Sequence, residues 1–334
     1  MDTFHTKDIS NDSFLITGGA GFIGSHIAEY LLKHGAKKVR VLDNLSNGFQ
    51  TNLDPLKAYP AFEFIEGDIR NMETCMSACA GIDYVNHQAA LGSVPRSIKE
   101  PVYFNEVNVG GFVNVLKAAV DNNCKQLVYA SSSSVYGDDP GLPKVEDKVG
   151  NCLSPYAATK KTNELYAQVF ADVYGIKLMG LRYFNIFGPR QDPDGAYAAV
   201  IPLFIKNIIN KTPVYINGDG EQTRDFTFID NAVQVNIKGM FTENAEAFNK
   251  VYNVAVGENF SVNYLYNACT EYLKSDLAAT YREPREGDIR NSLADISLAK
   301  SLLDYQPTTK FEDGLKETIE FFKRKWRVGV GNEE

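Results

Sequence analysis

The pattern of apolar and polar residues divides the chain at about residue 183. Before this point, short apolar runs alternate with longer stretches in which apolar residues recur every three or four positions. Short apolar runs are typical of buried strands, and the longer period is typical of amphipathic helices. Strands are therefore predicted at 14–17, 38–42, 62–66, 83–86, 126–130 and 178–182. Their alternation with helices predicts a doubly wound parallel sheet of the α/β class with right-handed crossovers.

Beyond residue 183 the chain is punctuated by glycine and proline, which mark turns. Helical periodicity returns from residue 230 onwards, and a short strand is predicted at 251–254. The length of 334 residues fits two domains, or one large α/β unit with an added lobe. We expect residues 1–183 to form a Rossmann-type domain, to which segments near 229–254 return. Residues 184–334 should form mainly a smaller mixed α/β substrate-binding lobe.

The turn after the first predicted strand is rich in glycine. Gly18, Gly21 and Gly24 separate this strand from a helical pattern that runs from Ser25 to Lys33. Glycines at this spacing allow a tight turn and a close approach of the backbone to a pyrophosphate, while the helix N-terminus offers free N–H groups to the anion. The arrangement predicts a dinucleotide site.

Residues that follow the next three strands fit the same ligand. Asp43 ends the second strand about 20 residues beyond the turn, where a carboxylate accepts hydrogen bonds from an adenosine ribose and repels a 2′-phosphate. This position favours NAD over NADP, unless Asp43 is only a turn residue before Asn44. Asp68 follows the third strand, where it could meet the adenine amino group. Gln88-Ala89-Ala90 follow the fourth strand, and the two small residues would let a ligand lie against the backbone.

A candidate catalytic site is divided between two elements. The segment from Ser131 to Gly137, with four consecutive serines, follows the fifth strand at the edge where parallel sheets bind ligands. Ser154 is a predicted N-cap of the next helix, on which Tyr156 and Lys160 lie one turn apart on the same face. A tyrosine, a lysine and a serine together predict a proton-transfer site, although Tyr-x-x-x-Lys also occurs by chance on amphipathic helices.

Charge and cysteine content narrow the class of protein. The net charge of −8 argues against non-specific binding to nucleic acid or to an anionic membrane, so an anionic ligand would need locally placed arginines. Five scattered cysteines do not form a disulfide framework and suit a reducing compartment. The polar N-terminus and the lack of a long apolar run predict a cytoplasmic protein. No metal site is expected, because no histidine completes a ligand set with Cys75 and Cys79.

With these motifs, the chain resembles the extended short-chain dehydrogenase/reductases from about Phe14 to Arg324. Within that family it is similar to the nucleotide-sugar epimerases. The matching segments are TGGAGFIGS at 17–25, LDNLSNG at 42–48 and LRYFNIFG at 181–188. SPYAATK at 154–160 and PREGDIRNSLADIS at 284–297 resemble the UDP-N-acetylglucosamine 4-epimerases in particular.

The resemblance implies a catalytic role for four residues. Tyr156 would take the proton of the sugar 4-hydroxyl as hydride leaves C4 for the nicotinamide. Lys160 would hold the nicotinamide ribose and, with the oxidised nicotinamide, lower the pKa of the phenol by roughly 3 units. Ser132 would bond to the 4-oxygen, and Ser133 would assist, while Ser131 would be structural.

The serine segment also distinguishes between reactions. Members of the family that eliminate water or lose carbon dioxide carry acidic residues at the positions of Ser133 and Ser134. Without such an acid, the 4-keto sugar can only be reduced again, and reduction on its other face inverts C4. The resemblance therefore implies epimerisation with NAD regenerated.

The resemblance also implies two sets of binding residues. The NAD cofactor would be bound by Gly18, Gly21, Phe22, Ile23, Gly24, Asp43, Asn44, Ser46, Gly48, Asp68, Ile69, Gln88, Ala89, Ala90, Asn108, Tyr156, Lys160 and Tyr183. A UDP-sugar substrate would be bound by Gly92, Ser93, Ser132, Asn185, Ala199, Val200, Tyr215, Arg224, Arg285, Asp288 and Ser292.

Within the second set the implied roles differ. Asn185, Arg224 and Arg285 would contact the diphosphate. Asp288 would take a ribose hydroxyl or stabilise Arg285, and Ala199 belongs to the same lobe. Val200 and Tyr215 fall where the uracil packs, although each taken singly reads as an ordinary core residue.

Ser292 would decide which sugar is accepted. It matches a position that is a bulky tyrosine in epimerases confined to UDP-glucose and UDP-galactose, and a serine leaves room for an N-acetyl group. Gly92 would leave room for the moving sugar. N-acetylhexosamines are therefore expected to be preferred and plain hexoses to react more slowly.

Three functions are compared. The first is 4-epimerisation of UDP-N-acetylglucosamine, and the second is 4-epimerisation of a UDP-hexuronic acid, with Arg190 as a candidate partner for the C6 carboxylate. The third is a non-catalytic NAD-sensing scaffold, which would not need Ser132, Tyr156 and Lys160 together. The resemblance further implies a homodimer joined by a four-helix bundle from helices near 102–122 and 156–174.

Overall fold

Thirteen strands occur in the part of the chain that the structure describes. The structure is a computed structural model in which residues 3–194, 199–284 and 290–330 are described. The strands are β1 (Ser13–Thr17), β2 (Lys38–Asp43), β3 (Phe62–Glu66), β4 (Tyr84–His87), β5 (Gln126–Ser132), β6 (Lys177–Tyr183), β7 (Ile186–Phe187), β8 (Val214–Asn217), β9 (Thr223–Arg224), β10 (Thr227–Phe228), β11 (Lys250–Val254), β12 (Phe260–Ser261) and β13 (Ala279–Arg282).

The helices lie between these strands and after them. They are α1 (Phe22–Lys33), α2 (Gln50–Leu53), α3 (Met72–Cys79), α4 (Val94–Lys99), α5 (Pro101–Asn105), α6 (Phe112–Asp121), α7 (Pro155–Tyr174), α8 (Val200–Ile209), α9 (Ile229–Phe241), α10 (Val262–Leu273), α11 (Ser297–Leu303) and α12 (Phe311–Val330). None of the helices in the described ranges is long and apolar enough to cross a membrane.

Seven strands form one parallel sheet in the order β3-β2-β1-β4-β5-β6-β11. The predicted doubly wound parallel sheet is therefore confirmed. The strand order reverses between β1 and β4, and open parallel sheets bind ligands at such a switch point. The last strand, β11, comes from the second half of the chain and pairs with β6 from Lys250 opposite Met179 to Val254 opposite Tyr183.

Apolar side chains cover both faces of this sheet. Along β1, Phe14 and Ile16 belong to one buried cluster and Leu15 belongs to the other, because successive residues of a strand point to opposite faces. Helices α1 and α9 pack on the first face, and α3 and α6 belong to the second. The sheet whose strand ends form the switch point is therefore buried on both faces.

The helix predicted at 102–122 is interrupted. α5 leads into a π-helical turn at Glu106–Gly111, and α6 follows. A π turn inserts an extra residue and frequently marks a functional position. Here it contains Asn108, which is 1% exposed and bonds to the loop after β4. The apolar periodicity predicted one continuous helix at 102–122, so this interruption was missed.

Apart from β11, the strands of the second half of the chain are short and pair outside the main sheet. They pair as β7 with β10, β9 with β12, and β8 with β13. Short strands give almost no periodic signal, so the sequence pattern predicted the helices from residue 230 onwards and the strand at 251–254 but none of these pairs. α8 was also missed, although its side chains at Ile201, Phe204, Ile205 and Ile208 are buried at helical spacing.

Candidate active site

The glycine turn between β1 and α1 is closely packed. A Cβ atom on Gly18, whose φ is +69°, would lie 2.6 Å from the backbone nitrogen of Ala89. A Cβ atom on Gly24 would lie 2.3 Å from the carbonyl oxygen of Gly18. Only glycine fits at these two positions, so the backbone can approach a ligand closely. α1 begins at Phe22, and the first-turn N–H groups of Phe22, Ile23 and Gly24 lack intrahelical acceptors, as suits a pyrophosphate.

Asp43 has a structural task as well as its predicted binding role. Its carboxylate accepts hydrogen bonds from the backbone N–H groups of Ala20 and Leu45, both at 2.9 Å. Burial raises the pKa of this carboxyl, while the two hydrogen bonds lower it. Asp43 therefore shapes the glycine turn, and each carboxylate oxygen keeps a lone pair for a ribose hydroxyl.

Asp68 is held in place by positive charge. It accepts hydrogen bonds from Arg70 at 2.8 Å and from the side-chain amide of Asn44 at 2.9 Å. The Arg70 guanidinium lowers the pKa of Asp68 to about 2, so this residue is an anion at neutral pH. It can accept a hydrogen bond from an amino group such as that of adenine.

A cleft at the switch point brings together most of the predicted cofactor residues. The predicted residues that line it are Gly18, Gly21, Asp43, Asn44, Ser46, Gly48, Asp68, Ile69, Gln88, Ala89 and Ala90. This lining, with its glycines and two carboxylates, suits a dinucleotide.

Other lining residues were missed by the sequence prediction. Tyr103 and Val107 contribute from the helical segment after the fourth strand, and Asn47 and Leu91 contribute from loops. The Tyr103 ring lies between the Arg70 and Arg96 guanidinium groups, 5.3 and 5.6 Å from their central carbons. The four-residue spacing of Tyr103 and Val107 was the available signal, because it places both on one helical face.

Asn108 supports this cleft from behind. Its side-chain oxygen accepts from Leu91 N at 2.8 Å, and its amide nitrogen donates to Leu91 O and to Thr159 Oγ1, both at 3.1 Å. The amide therefore fixes the loop after β4 onto α7. Direct contact of Asn108 with a cofactor stays a prediction.

The catalytic candidates meet at the carboxyl end of β5. Ser132 ends this strand and caps the 3₁₀ turn Ser133–Tyr136, at whose first residue Ser133 lies. The cap of α7 is Ser154, as predicted, and it accepts from Ala157 N at 3.1 Å. Tyr156 is half-buried on the first turn of α7, and its phenol is close enough to the Ser132 hydroxyl for that group to lower its pKa. Serine and tyrosine, 24 residues apart in the chain, are thus neighbours.

Lys160 is almost fully buried one turn further along α7. Its Nζ donates to the carbonyl oxygen of Ala130 at 2.9 Å, and burial lowers its pKa to about 8. The buried His87 shares a 2.8 Å hydrogen bond with Thr17, and burial lowers its pKa to about 3, so it is neutral. Lys160 is therefore the positive charge that the protein supplies at this point.

The predicted lowering of the Tyr156 pKa by Lys160 is not met by the protein groups. Burial raises the pKa of Tyr156, and the hydrogen bond with Ser132 opposes this rise. The physical reason is that a phenolate loses hydration in a buried site, while the ammonium group is engaged with Ala130. A working phenolate at neutral pH needs further positive charge, such as that of an oxidised nicotinamide.

Ser131 is anchored by a buried ion pair. Its hydroxyl donates to Glu164 Oε1 at 2.7 Å, and Glu164 bonds to Arg182 through two contacts at 2.8 and 2.9 Å. A bidentate pair of this kind is strong and directional. It ties β5, β6 and α7 together beneath Ser132, and the sequence prediction did not find it.

Tyr183 and Gln88 belong to a network at the ends of β6 and β4. Tyr183 donates to Gln88 Oε1 at 3.1 Å and accepts from Asn236 Nδ2 at 2.8 Å. Asn236 is on α9 and fully buried, and it also accepts from Asn86 at 2.9 Å. Burial raises the pKa of Tyr183, so its hydroxyl stays protonated. This network positions two predicted cofactor residues.

In the second half of the chain, two predicted substrate residues are neighbours. Arg224 Nη1 and the backbone N–H of Ser292 both donate to the carbonyl of Thr223, at 2.9 and 3.1 Å. Arg285 and Asp288 lie outside the described residues.

The segment that contains Ser292 is joined to the loop after the serine segment. Lys144 N donates to Leu293 O at 2.8 Å, and Asp295 N donates to Lys144 O at 2.9 Å. Asn253 of β11 completes the joint, because it donates to Lys144 O and to Asp295 O and accepts from Tyr136. These hydrogen bonds therefore connect the segment that contains Ser292 to the segment of the catalytic candidates.

The remaining predicted substrate residues are more scattered. Asn185, with φ of +38°, donates to Asp225 O at 3.1 Å. Ala199 and Val200 start α8, and the Tyr215 ring lies 3.0 Å from the Arg282 guanidinium carbon. Ser93 caps α4. A Cβ atom on Gly92 would meet no atom within 4 Å, so open space surrounds this glycine.

Arg190, the candidate for a sugar carboxylate, is engaged elsewhere. Its guanidinium forms an ion pair with Glu29 on α1 and bonds to Ser25 at 3.4 Å. A group already neutralised by a carboxylate is poorly suited to bind a second one.

Comparison with known proteins decides the family. Residues 14–255 match the model of the NAD dependent epimerase/dehydratase family. The chain belongs to this family. It is an NAD-dependent enzyme, and the residues of the switch-point cleft fit that cofactor.

Its relatives in the family include nucleotide-sugar 4-epimerases. It is 35% identical over 316 residues to a putative UDP-glucose 4-epimerase of Methanocaldococcus jannaschii, which covers 94% of this chain and 99% of the relative. It is 39% identical to the structure of a UDP-N-acetylglucosamine 4-epimerase from Methanobrevibacter ruminantium in complex with UDP-N-acetylmuramic acid (TM-score 0.89; 94% and 98% covered). It is 31% identical to a UDP-glucuronic acid 4-epimerase from Bacillus cereus in complex with UDP-glucuronic acid and NAD (TM-score 0.87; 94% and 99% covered).

Proposed function

We propose that this protein interconverts UDP-N-acetylglucosamine and UDP-N-acetylgalactosamine by inversion at C4, through a transient 4-keto sugar. The observation that carries the reaction type is the meeting of Ser132, Tyr156 and Lys160 at the end of β5, with serines at positions 133 and 134. A proton can be taken and returned at this site, and neither of these two positions offers an acid for elimination.

Tyr156 acts as the general base and acid. Its phenolate takes the proton of the sugar 4-hydroxyl and later returns a proton to the same oxygen. Ser132 donates a hydrogen bond to the 4-oxygen and holds it beside Tyr156. Bound NAD supplies the hydride acceptor and donor for C4. Inversion requires the keto sugar to turn within the site between the two proton transfers.

Several groups would hold the substrate. Arg224 bears the positive charge that suits a diphosphate, and Asn185 lies two residues beyond the end of β6. The open space at Gly92 leaves room for a sugar that changes its orientation. These assignments rest on motifs that the chain shares with the family, and Arg285 and Asp288 would complete the set.

The preference for an N-acetyl sugar rests on Ser292. Ser292 has a small side chain and follows Asn291, which pairs with Thr223 beside Arg224. Leu293, the residue after Ser292, accepts a hydrogen bond from Lys144 N in the loop after Ser132. A tyrosine at position 292 would fill space that the acetamido group needs. The 39% identity to the Methanobrevibacter ruminantium enzyme supports the same preference.

A substrate panel tests this proposal. The purified protein with NAD is incubated separately with UDP-N-acetylglucosamine, UDP-glucose and UDP-glucuronic acid, and the products are identified by anomeric-proton NMR. We expect UDP-N-acetylgalactosamine to form fastest and UDP-galactose more slowly. If the NAD-bound protein forms no UDP-N-acetylgalactosamine, the proposal is wrong.

The same panel judges the second candidate. Two relatives that act on UDP-glucuronic acid are 36 and 31% identical to this chain, which supports a UDP-hexuronic acid as the second candidate substrate. Fast turnover of UDP-glucuronic acid alone would favour it. The ion pair of Arg190 with Glu29 argues against that outcome.

We also propose a homodimer formed through α5 and α7. Val102 on α5 is 71% exposed, and Leu165, Val169 and Val173 on α7 are 59, 53 and 66% exposed. The three α7 residues are spaced by four and form one apolar stripe, which is typical of an interface.

Replacement of Val169 by Asp places a charge in this stripe, and we expect it to convert the dimer into a monomer. Light scattering at micromolar concentration measures the mass. A wild-type monomer, or a Val169→Asp variant that remains dimeric, would contradict the proposed interface.

A further inference from the structure

The hydroxyl of Ser132 receives two hydrogen bonds from a single neighbour. The backbone N–H of Ser134 donates to Ser132 Oγ at 3.1 Å, and Ser134 Oγ lies 3.0 Å from the same atom and donates to it. Both contacts are set by the 3₁₀ turn that Ser132 caps. The position of Ser134 relative to Ser132 is therefore fixed by the backbone.

These two bonds limit what Ser132 can do. A serine hydroxyl has one hydrogen to donate and two lone pairs that accept. A backbone N–H can only donate, so it occupies one lone pair, and the Ser134 hydroxyl occupies the other. The hydrogen of Ser132 then points away from Ser134, and Ser132 is left with a donor role only.

We propose that Ser134 is a positioning residue that fixes Ser132 as a hydrogen-bond donor toward Tyr156 and the sugar 4-oxygen. This inference rests on the proposed function, because it takes Tyr156 as the base. A donor stabilises the phenolate. A Ser132 with a free lone pair would instead accept from the neutral phenol and stabilise its protonated form.

The residue type at position 134 matters for the same reason. An ionised carboxylate there would accept from Ser132 and turn its hydrogen away from Tyr156. A hydroxyl can donate, so Ser134 does more than leave out an acid. The position thereby contributes both to the choice of reaction and to the state of the base.

The test measures the ionisation of Tyr156 without turnover. The NAD-loaded wild type and its Ser134→Ala and Ser134→Thr variants are titrated by tyrosinate absorbance, and each is compared with the same protein that also carries Tyr156→Phe. We expect Ser134→Ala to raise the apparent pKa of Tyr156 by about half a unit, which is roughly threefold in the ionisation constant. The low-pH limb of kcat should move in the same direction with KM unchanged. Ser134→Thr, which keeps the hydroxyl, should stay at the wild-type value.

Ser301→Ala is the matched control, because its hydroxyl donates only to a carbonyl of its own helix and lies far from Tyr156 in the chain. An unchanged or lowered pKa of Tyr156 in Ser134→Ala would overturn the inference. So would a Ser134→Thr variant that behaves like Ser134→Ala while having the wild-type melting temperature. Failure of the wild type to epimerise any sugar would instead count against the proposed function, since the titration does not depend on turnover.

Discussion

The end of the parallel sheet and the region around β9 hold their functional groups in different ways. At the sheet end, Lys160, Asn108 and Asn236 are at most 2% exposed, and each is bonded to named partners. Around β9, Arg224 and Ser292 are only partly buried, and they are held by strands of two residues.

This difference follows from the physics of burial. A buried polar group must be hydrogen-bonded, and its bonds then fix its position. A partly exposed group can exchange partners with water at little cost. We infer that the sheet end presents the same chemistry to every sugar, whereas the β9 region determines which sugar is accepted.

The largest expected effect comes from Tyr156→Phe. This change removes the proton acceptor and keeps the ring, so kcat should fall by about 10³-fold or more on every accepted sugar, while NAD remains bound. Initial rates by NMR and the absorbance of bound NAD provide the measurements. A loss of activity confined to one sugar would contradict the inferred division of roles, because the sheet end would then also determine which sugar is accepted.

A second prediction concerns the stability cost of Lys160. Burial lowers its pKa to about 8 from 10.5, so between these pH values the unfolded chain binds more protons than the folded chain. The free energy of unfolding contributed by Lys160 therefore rises with pH across this window. Below pH 8 the buried charge should cost about 3 kcal/mol.

Lys160→Met is expected to unfold at higher denaturant concentration than the wild type at pH 7, with a difference that shrinks by pH 9.5. Urea unfolding at both pH values measures this. Because the comparison is between two variants at the same pH, the titration of other groups cancels. A difference independent of pH would show that the site does not desolvate Lys160.

The smallest expected effect is on sugar selection. Ser292→Tyr should lower kcat/KM for UDP-N-acetylglucosamine by about 100-fold, because an added ring occupies the space of the acetamido group. Turnover of UDP-glucose in the same variant serves as an internal control and should change little. Equal losses on both sugars would mean that Ser292 affects catalysis and not selection.

The extent to which the sequence predicts this molecule differs between the same two regions. The strands, the glycine turn and the cap at Ser154 were predictable because each depends on neighbours in the chain. The β9 region depends on pairing between distant segments, such as Thr223 with Asn291, and short strands leave no period to detect. The π-helical turn around Asn108 was not predicted for a related reason, because the side-chain amide of Asn108 bonds to Leu91, which is 17 residues away in the chain.

From the sequence, the four serines and Tyr-x-x-x-Lys predict a proton-transfer site, because residue type and spacing carry that information. Only the tertiary structure decided how the site is held. It placed Ser131 on the Glu164–Arg182 pair, directed Ser134 toward Ser132, and engaged Lys160 with Ala130. These contacts join segments whose approach is set by the packing of the sheet and α7, and no local pattern in the chain specifies that packing.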